Sequence, residues 1–249
     1  MKLIVNADDY GLSKGVNLGI AEAYRCGPVR STTVMAGMAG FEHAVELAET
    51  LPGLKIGIHL TISSGKSVGS GYKNITDSDG RFLRLLEVEQ RAKEGETDLD
   101  EVETEFEAQI KKILAAGIKP DHFDTHHHVH NLPGIINVYL KLADKYGVAA
   151  RFYDTELLPG GHKSVKTTEA FSSEFYGETA TQEDLLRMLS SCNADSFEIM
   201  SHPAFVDHDL YSSSSYNIKR TYELSILTSS EIMDYIAKNG IELCSFSDI

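Results

Sequence analysis

The stretch Lys2–Arg25 reads KLIVNADDYGLSKGVNLGIAEAYR. Its first five residues, Lys2–Asn6, form a short apolar, β-branched run that predicts a strand. Ser13 follows as an N-cap and opens a helix over Ser13–Arg25, which Gly27 and Pro28 terminate. What lies between strand and helix decides the fold. A doubly wound nucleotide-binding sheet carries a glycine-rich phosphate fingerprint at this turn. This chain has Asn6-Ala7-Asp8-Asp9-Tyr10-Gly11 instead, and the fingerprint is missing. The open doubly wound sheet is thereby disfavoured against a β/α barrel.

Outward from this unit the alternation continues. Strands are predicted at Ser31–Ala36 and at Lys55–Thr61, with a helix over Phe41–Leu51 between them. Ser63–Asp79 is rich in Ser and Gly, lacks periodicity and reads as a long loop. A charged amphipathic helix is expected over Leu99–Ala116, with Val102, Phe106, Ile110, Ile113 and Leu114 at helical spacing and Gly117 as its stop. Its charges read as a solvated face. Then come a strand at Asp121–His126, a helix over Pro133–Tyr146 and a strand at Val148–Tyr153. A helix over Gln182–Ser191, a strand at Ser196–Ser201, a helix over Ser229–Asn239 and a strand at Ile241–Ser245 complete the pattern. Strands separated by helices imply parallel pairing with right-handed crossovers. The expected architecture is an α/β fold, one β/α barrel domain over residues 1–249, TIM-like and open to irregular or seven-stranded forms. No internal repeat or compositional break divides the chain.

Composition narrows the function. The formal charge of −14 repels polyanions, which excludes nucleic acid and anionic membrane as natural partners. No apolar run approaches the ~18 residues of a transmembrane helix, and the N-terminal run is too short for a secretory signal, so a cytoplasmic location is expected. Cys26, Cys192 and Cys244 form no close pair and read as buried, reduced thiols.

Barrel chemistry collects at the carboxyl ends of strands. There the sequence places Asp8 and Asp9 after the first strand, His59 near the end of Lys55–Thr61, the run DTHHHVH at Asp124–His130, and His202 in Ser201-His202-Pro203. Taken singly, Asp8-Asp9 is a turn or helix cap, His59 a core histidine and His202 a loop residue. Together they converge on one rim. Two imidazoles and one carboxylate bind a divalent ion while leaving positions open for water and substrate. A second carboxylate can take a proton from an activated water, and a histidine opposite, His202, can protonate a leaving group. Neighbours on an extended strand end point to opposite sides, so Asp8 and Asp9 can divide these tasks.

The segments LIVNADDYGLSKGVNLGI, GIHL at Gly57–Leu60, DTHHHVH, SHPAF at Ser201–Phe205 and RTYELSILTS from Arg220 resemble the YdjC-like carbohydrate deacetylases, which include chitooligosaccharide deacetylase. The likeness runs nearly from end to end. It implies a β/α barrel of glycoside hydrolase/deacetylase type and hydrolysis of an N-acetyl group on an acetylated sugar such as diacetylchitobiose, phosphorylated or not. It also implies a divalent metal cofactor and a homodimer. Carried over by position, it assigns Asp9, His59 and His126 as metal ligands and a catalytic aspartate within Asp8-Asp9. Analogy with the more distant polysaccharide deacetylases makes Asp8 the base. The family's late CHP or SHP motif falls on Ser201-His202-Pro203, where Ser201 excludes a catalytic thiol. Magnesium follows from the resemblance, whereas ligand softness favours zinc.

A barrel phosphoesterase or amidohydrolase would open with an HxH pair on its first strand, where this chain has Asp8-Asp9. A non-catalytic metal-binding protein would need only the histidine run. With no Trp in the chain, sugar stacking falls to Tyr10, Phe175, Tyr176 or Phe205. Tyr10, His128, Arg151 and Phe205 are the candidate substrate contacts. On a strand end, alternation puts Asp124, His126 and His128 on one side and His127 on the other, so the run marks a site without forming one alone.

Overall fold

The computed structural model describes residues 1–151 and 164–249. Eight parallel-paired strands among the described residues are β1 (Lys2–Tyr10), β2 (Ser31–Val34), β3 (Lys55–Leu60), β4 (His122–Thr125), β5 (Ala149–Ala150), β6 (Ala170–Ser172), β7 (Ser196–Ser201) and β8 (Glu242–Leu243). Nine helices among the described residues are α1 (Lys14–Cys26), α2 (Phe41–Ala48), α3 (Leu85–Glu94), α4 (Leu99–Ala115), α5 (Ile135–Tyr146), α6 (Gln182–Ser191), α7 (His208–Ser213), α8 (Ile218–Leu227) and α9 (Ser230–Lys238). The strand order is β5-β4-β3-β2-β1-β7-β6, with β8 on β1. The chain's last strands thus return to its first, as in a β/α barrel. A doubly wound sheet would reverse its order at β1 and grow outward. The expected α/β fold is the one observed.

By its internal contacts the chain divides into two compact units, Met1–Val34 with Ala39–Ile56 and Thr168–Ile249, and Met35–Met38 with Gly57–Thr167. In the first, β1 is the central strand. Leu3, Ile4, Val5 and Ala7 are buried on both faces, the continuous apolar run expected of a covered parallel strand. It pairs with β7 from Lys2 to Ala7 and with β2 from Asn6 onward, through a register shift between Ala7 and Tyr10. Helix α1 begins as its sequence predicts, with the Ser13 side chain accepting from the Val16 N–H. Gly15 and Gly19 give α1 a smooth face. A Cβ at Gly19 would lie 2.3 Å from Ala204 Cα, and one at Gly15 2.3 Å from the Phe205 carbonyl oxygen. The segment after β7 therefore lies directly on α1. Asp207 fastens it, accepting from the Gly15 N–H and from Leu210 at the start of α7.

In the second unit, α4 does more than present charges to water. Glu105 is fully buried and accepts the Val68 and Gly69 N–H groups, while Glu101 accepts those of Lys73, Asn74 and Ile75. Gln109 bonds both the N–H and the carbonyl of Thr61. The loop over 63–79 is thus bound by carboxylates on α4 and carries two isolated antiparallel bridges, Lys66 to Arg81 and Thr76 to Phe82. The solvated-face reading of α4 fails at these two glutamates.

Other departures have local causes. The fourth strand stops at Thr125, and His126–Asn131 turns into a 3-10 segment in which His127 and His128 adopt φ of 56° and 52°. Alternation along DTHHHVH therefore does not hold beyond Thr125. Helix α5 starts at Ile135, after Gly134 with φ 79°, rather than at Pro133. The predicted strand Val148–Tyr153 is reduced to Ala149–Ala150, and its last two residues lie outside the described ones. Helices α3, α7 and α8 and strand β6 have no counterpart in the sequence reading. Of the cysteines only Cys244 is buried; Cys192 is half-buried and Cys26 exposed.

Candidate metal and catalytic site

The end of β1 is shaped by Asp9, whose φ of 70° lies in the left-handed region. With the register shift beside it, the two acids are divided by a local kink rather than by simple strand alternation. Their surroundings separate them further. Asn6 Nδ2 donates to Asp8 Oδ1 at 2.8 Å. Asp9 Oδ2 accepts from Arg220 Nη2 at 2.6 Å. Both acids are buried, and Arg220 is itself 3% exposed. A guanidinium within hydrogen-bond reach favours the ionised carboxylate that a cation would need.

His59 is held from behind. Its Nδ1 lies 2.7 Å from Asp124 Oδ1, and Arg151 Nη1 lies 3.0 Å from Asp124 Oδ2. His59, Asp124 and Arg151 are all buried. The carboxylate at Nδ1 selects the tautomer protonated there and leaves the Nε2 lone pair for a ligand. Arg151, read from the sequence as a substrate contact, is fully buried and paired with Asp124 behind this histidine. His59 Nε2 faces His126 Nδ1 at 3.3 Å. Bonds of about 2.0–2.1 Å at a tetrahedral angle place two ligand nitrogens about 3.3–3.4 Å apart. The pair has the spacing of two imidazoles sharing one ion.

Ligand atoms of Asp9, His59 and His126 all lie within 4.8 Å of one another, as do those of Asp8, His59 and Asp124. The first group is the set the sequence nominated. Its two nitrogens and one carboxylate fit a divalent cation.

The remaining histidines of the run have other partners. His127 Nδ1 pairs with Ser63 Oγ at 2.9 Å. His130 is buried, stacked on Tyr139, with Nδ1 2.6 Å from Thr125 Oγ1. His128 sits edge-on to His130. Tyr10 is fully buried and its hydroxyl donates to the Ala44 carbonyl at 2.8 Å, so it serves the core and offers no stacking surface. Phe175 is also buried, whereas Tyr176 and Phe205 are exposed by 43% and 47%.

His202 follows β7 and is nearly covered. Its backbone N–H donates to Glu223, and its Nδ1 stands 3.8 Å from Glu223 Oε1. The Tyr216 hydroxyl donates to the same carboxylate. Burial pushes Glu223 up to about 8, against the lowering effect of those hydrogen bonds and of Arg220. Arg220 and Glu223 lie three residues apart on α8, so one face of one helix serves both Asp9 and His202. The segment RTYELSILTS carries part of the family resemblance, but nothing in it alone gives Arg220 or Glu223 a role. The available signal was their i, i+3 spacing in a segment of helical character.

A family profile described as YdjC-like protein matches residues 2–238. Over the full length of both chains, the protein is 43% identical to a carbohydrate deacetylase of Brevibacillus brevis. Its structure is similar to that of a candidate cellobiose-phosphate cleavage protein of Enterococcus faecalis V583, with a TM-score of 0.90 and 34% identity over 99% of this chain and 98% of that one. A family 4 carbohydrate esterase from Streptomyces lividans shares the fold at a TM-score of 0.55 and 14% identity, over 98% and 91% of the two chains.

Proposed function

The chain belongs to the YdjC-like protein family, and from that premise we propose that it is a divalent-metal-dependent carbohydrate deacetylase acting as one catalytic domain. The reaction is hydrolysis of an N-acetyl group on an amino sugar, giving acetate and a free amine. One observation carries the reading: His59 Nε2 and His126 Nδ1 stand 3.3 Å apart, with Asp124 fixing the first ring. Asp9, held by Arg220, supplies the third ligand. Zinc suits two nitrogens and one oxygen better than magnesium does, on ligand softness.

A divalent ion at this position supplies the charge that polarises an amide carbonyl and acidifies a nearby water. The protein's own groups do the rest. Asp8, kept in place by Asn6, takes the proton from the attacking water. Arg220 holds Asp9 by a hydrogen bond to its carboxylate, and Asp124 accepts from Nδ1 of His59. His202 hands a proton to the departing amine, a poor leaving group until it is protonated. Glu223 accepts from the His202 backbone and so fixes where that imidazole stands.

The decisive assay offers diacetylchitobiose and N-acetylglucosamine, each with and without a phosphate group, and measures acetate and inorganic phosphate separately. Acetate release that requires added or retained divalent metal is expected. Phosphate release without acetate would move the protein to the phosphoesterases. The phosphorylated sugars are included because the Enterococcus relative is described by cellobiose-phosphate cleavage.

A further inference from the structure

Beside His202 stands an aromatic pair that the proposed chemistry does not use. Tyr176 stacks on Tyr216 with ring centroids 4.0 Å apart and planes 19° from parallel. Both rings meet His202 edge-on, at 5.4 Å for Tyr176 and 5.7 Å for Tyr216. Tyr216 is a rigid backing. Its hydroxyl donates to buried Glu223 and accepts from the Gly177 N–H. Phe175 is fully buried while Tyr176 is 43% exposed, so the chain anchors itself with one ring and presents the next. Burial also pushes the Tyr176 phenol up, which keeps it neutral.

A tyrosine ring stacked on one face and exposed on the rest presents an apolar body with a polar tip, the surface that aromatic side chains offer at interfaces. The C–H bonds on one side of a pyranose fit the negative face of an aromatic ring, and His202 marks where the leaving amine must lie. We propose that Tyr176, backed by Tyr216, is the stacking platform for the pyranose ring that bears the amide, and so a determinant of substrate choice. The proposal rests on the deacetylase reading for the identity of the sugar. The platform itself requires only that a pyranose binds beside His202.

The test separates binding from turnover. Calorimetry on diacetylchitobiose and on its deacetylated form, chitobiose, measures binding. Acetate release from diacetylchitobiose, and from N-acetylethanolamine as an amide without a sugar face, measures chemistry. Tyr176→Ala should weaken binding of both sugars and raise KM for diacetylchitobiose about tenfold, so that kcat/KM falls at least fivefold further for diacetylchitobiose than for N-acetylethanolamine. Tyr176→Phe keeps the face and should stay within twofold of wild type throughout. Circular dichroism melting confirms that both variants fold. Sugar binding by Tyr176→Ala within twofold of wild type overturns the proposal, as does a Tyr176→Phe loss as large as that of Tyr176→Ala. A wild-type protein that binds neither sugar overturns it too. Wild-type binding without acetate release would sink the deacetylase reading and leave the platform standing.

Discussion

At the scale of single residues, the two neighbouring acids of β1 are given different work by different neighbours. Asp8 is bonded by an amide and Asp9 by a guanidinium. Asp8→Asn should therefore retain metal and lose about 10²–10⁴-fold in kcat, the usual range for a general base. Asp9→Asn should lose metal and activity together. Elemental analysis beside acetate release checks both, and metal lost in Asp8→Asn but kept in Asp9→Asn would reverse the roles. Glu223 gives a second, pH-dependent signature. An acid whose pKa rises on folding from 4.5 to about 8 binds its proton more tightly in the native state. Its stabilising contribution is complete below the ordinary value and is lost as pH rises through about 8. The facing groups are Tyr216, the His202 backbone, Arg220 and Asp8. Glu223→Gln removes this titration, so the Tm of the variant should gain on wild type between pH 4.5 and 8. Parallel Tm profiles across that range would count against a buried, protonated Glu223.

At the scale of elements, α4 and α8 show how a helix supplies more than an apolar stripe. The apolar positions of α4 were legible because they recur at helical spacing, and Val102, Phe106, Ile110 and Ile113 are all fully buried, whereas Leu114 at the edge of the stripe is 39% exposed. The role of Glu105 was not legible, since its partners Val68 and Gly69 are backbone N–H groups more than thirty residues away. A charge on a helix face reads the same whether it meets water or a loop. Removing it leaves buried donors unsatisfied at about 1–3 kcal/mol each. Glu105→Ala should lower unfolding stability by about 2–4 kcal/mol in urea melts and open the 63–80 segment to proteolysis at native conditions. For the same reason α8 is not legible in the sequence. Its buried residues include Arg220 and Glu223 beside Leu224 and Leu227, so the face that reaches the site is partly charged and breaks the apolar pattern.

At the scale of the whole molecule, residues 9, 59 and 126 contribute to one candidate metal group, so metal binding should be linked to folding of the chain. An ion that binds the native state alone raises stability by RT ln(1 + [M]/Kd), about 2.7 kcal/mol at a hundredfold excess over Kd. Chelation should lower the Tm, zinc should restore it, and His126→Ala should show neither response. A Tm in wild type that ignores chelator would remove these ligands from consideration. No helix among the described residues is long and apolar enough to cross a membrane. The sequence alone determined the parallel α/β alternation and the first helix with its Ser13 cap, because strand ends and helix starts are set by local residue chemistry within a few positions; the choice of candidate ligands follows from the family resemblance instead. Tertiary structure alone decided the kink at Asp9, the end of β4 before the histidine run, the turning of Tyr10 and Arg151 inward, and the entry of Arg220 and Glu223 into the site. These depend on which distant groups face a side chain. Periodicity can say that a residue is buried, but not what it is buried against.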